Sequence, residues 1–396
     1  MTQLSTGEAP ADLNLPAALA AALATVRRNI AVLGDRYPDD TTEQGRYPLR
    51  AATEGIAEGG NWGWTTSFWS GMLWLSWELT DQEEYLAAAR RHAADFVRRV
   101  RVGDDLDTHD LGFLYTLACV TAWRLTGDAD AREAALAAAD HLMGRFLEPA
   151  GIIQAWGDLD DPTQRGRTII DSLMNTPLLT WAAAETGEAR YADAVLRHTS
   201  QLRDHILRPD DSTFHTFYWD VDTGAPLRGA TEQGAADKSC WARGQAWGIY
   251  GFALNHRATG DASLLAASRR CAEYFLRHLP ADQVPYWDLV YGDGSGAPRD
   301  SSAAAIAVCG LEELAQLVDD PEAAARYRAA AEAILASLCR GYAPADPEDS
   351  DALLLHGVYD FPKGVGVDEG NLWGDYFYLE ALTRRTLGAA WRPYWH

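Results

Sequence analysis

No two of the five cysteines (Cys119, Cys240, Cys271, Cys309 and Cys339) stand in a C-x-x-C spacing, and their number is odd. That pattern indicates neither zinc ligation nor a disulfide framework and points to reduced, buried thiols. Basic residues are scarce: 34 Lys and Arg face 57 Asp and Glu, for a net charge of −23. So acidic a chain is a poor partner for nucleic acid or for an anionic membrane surface, although a few placed donors can still hold a small anion. Met1 to Pro10 lacks the basic start of a signal peptide. No run of about 18 apolar residues stands out as a membrane span, so a cytoplasmic location is expected. Phosphate-binding glycine loops, His-Glu-x-x-His and Gly-x-Ser-x-Gly are missing too, and Gly292 to Gly296 reads as a flexible loop.

What is present is helical. Hydrophobic residues make up 47% of 396 positions, enough to bury a sizeable core. An apolar period near 3.6 predicts helices at 15–33, 67–79, 82–100, 110–126, 129–146, 171–186, 189–206, 240–259, 261–278, 301–318, 321–340 and 372–387. Most pairs share a turn: Leu79-Thr80-Asp81, Leu125-Thr126-Gly127-Asp128, Glu185-Thr186-Gly187-Glu188, Ala258-Thr259-Gly260-Asp261 and Val318-Asp319-Asp320-Pro321. Gly there supplies a left-handed C-cap, and the acid starts the next helix favourably. Twelve helices in six hairpins predict an all-α, (α/α)6 barrel, with an open helical solenoid as the alternative. We expect one catalytic domain over 1–396, with 1–14 a flexible N-terminal segment. The segments Thr213 to Trp219 and Gly151 to Trp156 are expected to add short strands.

Alternate helices begin with polar and aromatic clusters rather than plain caps. These are Asn61 to Trp64, Thr108-His109-Asp110, Ile169-Ile170-Asp171, Ser239 to Arg243, Arg299 to Ser302 and Gly370 to Trp373. In an up-and-down barrel these starts gather at one mouth, where the long loops also lie. Asp110 and Asp171 read singly as N-caps; on one rim, with His109 and Asn175, they read as a catalytic carboxylate pair. Apolar neighbours and a second carboxylate would raise Asp171, while Asp110 beside a cationic His109 would stay ionised. Fifteen Trp are present, and Trp62, Trp64, Trp156, Trp219 and Trp287 sit in loops, as sugar-stacking rings would. Arg243 suits either a substrate carboxylate or a structural ion pair. His215 suits either a sugar hydroxyl or a loop carbonyl.

Together these motifs resemble one family, the unsaturated glucuronyl hydrolases of glycoside hydrolase family 88. The resemblance is carried, in order, by Phe68 to Gly71, His109 to Tyr115, Gly151 to Trp156, Ile169 to Asp171, His215 to Tyr218, Trp241 to Ala253, Arg299 to Ala303 and Trp373 to Tyr376. It implies a metal-free and cofactor-free barrel acting on lyase-generated, anionic oligosaccharides that end in a 4,5-unsaturated uronic acid. Unsaturated chondroitin and hyaluronan disaccharides are examples. Asp171 matches the general acid/base and Asp110 its acidic partner. Trp64, His109, Trp156, His215, Gln233, Arg243 and Trp247 match substrate-contacting positions. Glu232, where a His would resemble the family better, and Lys238 depart from the pattern. An unsaturated rhamnogalacturonyl hydrolase, a sugar epimerase or isomerase, and a non-catalytic glycan-binding toroid are the other readings. The residues leave the oligomeric state open.

Overall fold

A computed structural model describes residues 13–161 and 163–396. The expected flexible segment 1–14 therefore falls almost wholly outside the described residues. Its last two positions lead into α1 (Leu15–Leu33), where the Asn14 side chain accepts the Ala17 N–H.

Twelve helical stretches alternate between an inner and an outer ring. The inner ring holds α2 (Thr66–Thr80), α4 (Leu111–Tyr115) continuing into α5 (Thr121–Thr126), α7 (Thr176–Thr186), α9 (Ala242–Thr259), α11 (Ser301–Leu317) and α13 (Leu372–Leu387). The outer ring holds α1, α3 (Glu83–Val102), α6 (Ala129–Met143), α8 (Ala189–His205), α10 (Ala262–Arg277) and α12 (Pro321–Gly341). Inner helices are buried nearly all round, whereas outer ones bury a stripe: in α8 it is Tyr191, Ala194, Val195, His198, Thr199 and Leu202. That difference is the 3.6 period seen from two depths of one core. The ring closes where α13 packs on α2, so no helix is left as an open solenoid end. The architecture is the (α/α)6 barrel.

The recurrent turn behaves as its chemistry requires. Gly127, Gly187 and Gly260 take φ of 73°, 74° and 73°, the left-handed region, and each closes its helix through its own N–H. Asp128, Asp261 and Asp320 then cap the outer helices that follow, each accepting a backbone N–H of the first turn.

Three departures concern the mouth. The helix expected at 110–126 is interrupted by a π-helical turn, Thr116–Val120, directly after the segment that carries Asp110. Every residue of that turn is buried, so its apolar character hides the extra residue from a periodicity reading. The helix expected from 171 begins instead as a 3-10 turn, Ile170–Met174, before α7. The strands at 151–156 and 213–219 shrink to β2 (Ile152–Ile153), paired with β1 (Phe146–Leu147), and to β4 (Thr216–Trp219). β4 sits between β3 (Arg167–Ile169) and β5 (Pro226–Ala230), and a further hairpin joins β6 (Gly357–Asp360) to β7 (Val365–Glu369). Of these strands, β3 and β6 reach the mouth, through Ile169 and Tyr359.

By length and composition α1 is apolar enough to cross a membrane, because its alanines raise the mean hydropathy around Arg27 and Arg28. Here it lays Ala22, Thr25, Val26, Asn29 and Leu33 onto the barrel.

Candidate active site

Asp110 and Asp171 meet at the floor of the mouth. Neither caps a helix: Asp110 precedes α4 with helical backbone angles and no side-chain cap bond, and Asp171 lies inside the 3-10 turn. Ordinary capping is instead done by Asp300, which accepts Ser302 and Ala303 N–H, and by Asn371, which accepts Gly374 N–H. His109 Nε2 stands 3.3 Å from Asp110 Oδ1 and 3.6 Å from Asp171 Oδ1. One nitrogen of His109 and one oxygen of each aspartate lie within 4.8 Å of one another. Two carboxyl groups this close in a dry site cannot both ionise at ordinary cost.

Asp110 is the better supported of the two. Its Oδ2 accepts Thr108 Oγ1–H at 2.8 Å, and its Oδ1 faces Asn175 Nδ2 at 3.4 Å. Burial pushes it up to about 6, against the lowering effect of those donors and of Arg145. Among the described residues, Asp171 Oδ1 has no hydrogen-bond partner. Burial, then the charge of Asp110, hold Asp171 well above the ordinary carboxylate range, with Arg243 pulling weakly the other way. Of the two, Asp171 is the one held more strongly in its protonated form.

The route to that state differs from the expected one. His109 is not cationic: burial, then Arg145, push it down to about 3. Asp110 keeps its charge through Thr108, Asn175 and Arg145 instead. Nor does His109 face the pocket. Its ring, 1% exposed, is not among the residues lining the cavity and stands beside the two carboxyl groups.

The remaining expected residues converge. Trp64, Asp110, Trp156, Asp171, His215, Gln233, Arg243 and Trp247 line one cavity of about 270 Å³. Trp64 stacks on Trp373 at 5.1 Å and donates its Nε1–H to Tyr359 Oη at 3.0 Å. Trp156 lies under Arg167, 5.0 Å from the ring centroid. Of the other loop tryptophans, Trp62 packs beneath Arg50, Trp219 on Phe217 and Trp287 on Phe361, none of them in the cavity.

Arg243 turns out to be largely structural. It is sandwiched between Trp241 and Trp373, at 4.4 and 4.8 Å, with Asp300 3.4 Å away. It also donates to Val358 O, to Tyr359 O at 2.9 Å and to Gln233 Oε1 at 3.2 Å. With those donors taken, it shapes the cavity wall more than it offers a free fork to a carboxylate. His215 resolves the other way. Its Nδ1 accepts the N–H groups of Glu232 and Gln233 at 3.0 and 3.2 Å, so the ring proton sits on Nε2 as a donor. Burial, then Arg243, push this ring down to about 3, which keeps it neutral.

Five cavity residues escaped the expected set: Ile169, Glu232, Trp241, Tyr359 and Lys363. Glu232 and Trp241 were visible as a departure and within a motif. Tyr359 and Lys363 belong to the β6–β7 region, which reads in sequence only as a long connection before residue 370. Lys238, the second departure, is exposed and not among the residues lining the cavity.

With this geometry in hand, the comparisons are direct. The description Glycosyl Hydrolase Family 88 matches residues 40–337. The chain is 45% identical over 379 residues to the unsaturated chondroitin disaccharide hydrolase of Streptococcus pyogenes serotype M1, covering 96% of this chain and 92% of that protein. The crystal structure of the unsaturated glucuronyl hydrolase of Bacillus sp. GL1, responsible for the degradation of glycosaminoglycan, superposes with a TM-score of 0.90 at 42% identity. That match covers 96% of this chain and 99% of the other. A mutant of the Streptococcus agalactiae unsaturated glucuronyl hydrolase, complexed with dGlcA-GalNAc6S, superposes with a TM-score of 0.84 at 39% identity, covering 98% and 95%.

Proposed function

The chain belongs to glycoside hydrolase family 88, and from that premise we propose that it releases a 4,5-unsaturated uronic acid from the non-reducing end of glycosaminoglycan disaccharides. The observation that carries this reading is the closely spaced, buried Asp110–Asp171 pair at the floor of a tryptophan-lined cavity. A protonated, poorly solvated acid beside a fixed anion is what protonating an enol-ether carbon needs.

In this reading Asp171 hands its proton to C4, and positive charge develops at C5 and the ring oxygen. Ionised Asp110 lies close enough to stabilise that charge. Asp171, now a carboxylate, takes a proton from the water that adds to C5. The resulting hemiketal opens, the glycosidic bond breaks, and a keto-uronate and the shortened sugar leave. No displacement occurs at the anomeric carbon, so the carboxylate separation says nothing about retention or inversion. Trp64, Trp156 and Trp247 offer apolar ring faces, while His215 Nε2–H and the amide nitrogen of Gln233 offer donors. All five thiols are unpaired, which suits a reducing cytoplasm, where we place the reaction.

The test is loss of the enol's ultraviolet absorbance when the protein meets an unsaturated chondroitin or hyaluronan disaccharide. No loss with any unsaturated uronide rejects the reading. Tight binding with the bond intact would indicate a glycan-binding toroid instead.

The pH profile follows from the pair. Activity needs Asp110 ionised, so kcat/KM is expected to fall as pH drops through about 6. It should fall again on the alkaline side as Asp171 loses its proton. A profile flat across pH 5 to 7 would contradict this assignment.

Glu232 bears on the leaving sugar. It is exposed at the cavity mouth, while Lys363 in the same lining is neutralised by Asp360 at 2.9 Å. An anion there, its Oε1 accepting the Tyr218 hydroxyl at 3.3 Å, disfavours a sulfated leaving group. Glu232→Gln is expected to raise kcat/KM for a sulfated disaccharide about fivefold relative to its unsulfated counterpart, the worth of one water-screened charge contact. An equal change for both substrates would remove Glu232 from this role.

A further inference from the structure

Two buried imidazoles behind the carboxyl pair leave complementary nitrogens unused. His198, on outer helix α8, is fully buried, and its Nδ1 accepts the Ile153 N–H at 3.0 Å. In a neutral ring that places the proton on Nε2, which has no protein acceptor. His109 is anchored to the same extended segment, donating its backbone N–H to Ala155 O at 2.9 Å. Ile153 and Ala155 are two residues apart, so both anchors lie on one side of that segment. Both His109 ring nitrogens are buried without a hydrogen-bond partner among the described residues, Nε2 standing 3.3 and 3.6 Å from the two aspartate oxygens. Facing an anion, Nε2 must be the donor, which leaves Nδ1 an acceptor in need of an N–H.

We propose that His198 is a positioning residue outside the cavity, whose Nε2–H serves His109 Nδ1 across one bridging water. His109 is thereby locked in the tautomer that donates toward Asp110 and Asp171. The consequence is chemical. With its Nε2–H on the carboxylate side, His109 stabilises the anion on Asp110 and cannot accept the proton of Asp171. In the other tautomer, Nε2 would be a base beside the acid and would draw that proton away from C4.

The charged groups facing this assembly act on it in known senses. Arg145 faces both His109 and Asp110, Asp105 lies toward Asp110, and Arg243 toward Asp171. Each imidazole is pushed down to about 3, chiefly by burial, and His198 further by His109, so both rings stay neutral across the working range.

The proposal rests on the hydrolase reading only for its kinetic arm. In that arm, His198→Phe keeps the volume and removes both ring nitrogens. Its kcat on an unsaturated disaccharide is expected to fall at least about 10-fold with KM little changed, since tautomer control by a residue behind the base can be worth far more. The acid limb of the pH profile should move upward as the His109 N–H no longer points at Asp110, whose Thr108 and Asn175 contacts remain. His198→Gln, which can accept from Ile153 and donate onward, is expected to recover most of the loss and the original limb. A His198→Phe protein that melts earlier yet keeps kcat and the pH profile would show a purely structural side chain and overturn the proposal.

A second arm needs neither substrate nor a folded variant. Nitrogen-15 spectra of histidine-labelled wild-type protein should show His109 protonated at Nε2 and His198 protonated at Nε2. A proton on His109 Nδ1 overturns the proposal while leaving the hydrolase reading intact.

Discussion

Asp171→Asn is expected to lower kcat by at least about 10³-fold, the upper range for a single positioned general acid, while leaving disaccharide affinity nearly unchanged. Asn keeps the shape and removes the only proton that the cavity floor can deliver. The same change should raise stability at neutral pH. Asp171 is held well above its ordinary value in the folded state, by burial and by Asp110. A raised carboxyl binds its proton more tightly folded than unfolded, so stability falls as pH rises from the unfolded pKa, about 3.9, toward the folded one. At neutral pH that penalty is present, and Asn, which titrates in neither state, lacks it. The expected pair of results is a dead enzyme with a higher melting temperature and a flatter stability profile above pH 4. A variant that loses activity and melts earlier would mean that Asp171 is a structural residue. One that keeps near-normal turnover would take the acid role from it.

Gly112→Ala is expected to cost both stability and catalysis, by a route that involves no cavity residue directly. A Cβ at Gly112 would stand 2.2 Å from Asn175 Cα and from Asn175 O, and 2.5 Å from Asn175 Cβ. Both sides of that contact are main chain, so no rotamer relieves it. The α4 segment and the start of α7 would have to part. Asn175 is also the link between them: its Oδ1 accepts the Phe113 N–H at 2.7 Å and its Nδ2 faces Asp110 at 3.4 Å. Overpacking of this kind costs up to about 3 kcal/mol, and a displacement of about 1 Å between catalytic groups can cost roughly 100-fold in rate. A lower melting temperature, with kcat down by about that factor in the folded fraction, is the outcome to measure. Gly341→Ala, where an added Cβ meets nothing within 4 Å, is the control. Equal behaviour of the two variants would show that the α4–α7 approach is looser than described.

The ring itself was legible because its signals are local. Gly127, Gly187 and Gly260 announce left-handed C-caps, Asp128, Asp261 and Asp320 announce the next N-caps, and the apolar period reports which helices are wetted on one side. The π turn at Thr116–Val120 was illegible, because one extra residue in a wholly buried stretch changes no hydropathy. Lys363 and Tyr359 were equally hidden, since a hairpin that folds over a mouth has no periodic signature of its own.

The amino-acid order alone therefore determined a closed ring of six helical hairpins, and which helix starts would share one mouth. It also pointed to Asp110 and Asp171 as candidates, through the polar clusters that open alternate helices, because turns and amphipathic periods are set by near neighbours in the chain. Tertiary structure decided the electrostatics: that His109 is neutral and sits beside the carboxyls, that Arg243 spends donors on the wall, and that burial and Asp110 raise Asp171. Protonation depends on how much water is excluded and which charges come within a few ångströms. Those are properties of packing among residues far apart in the chain.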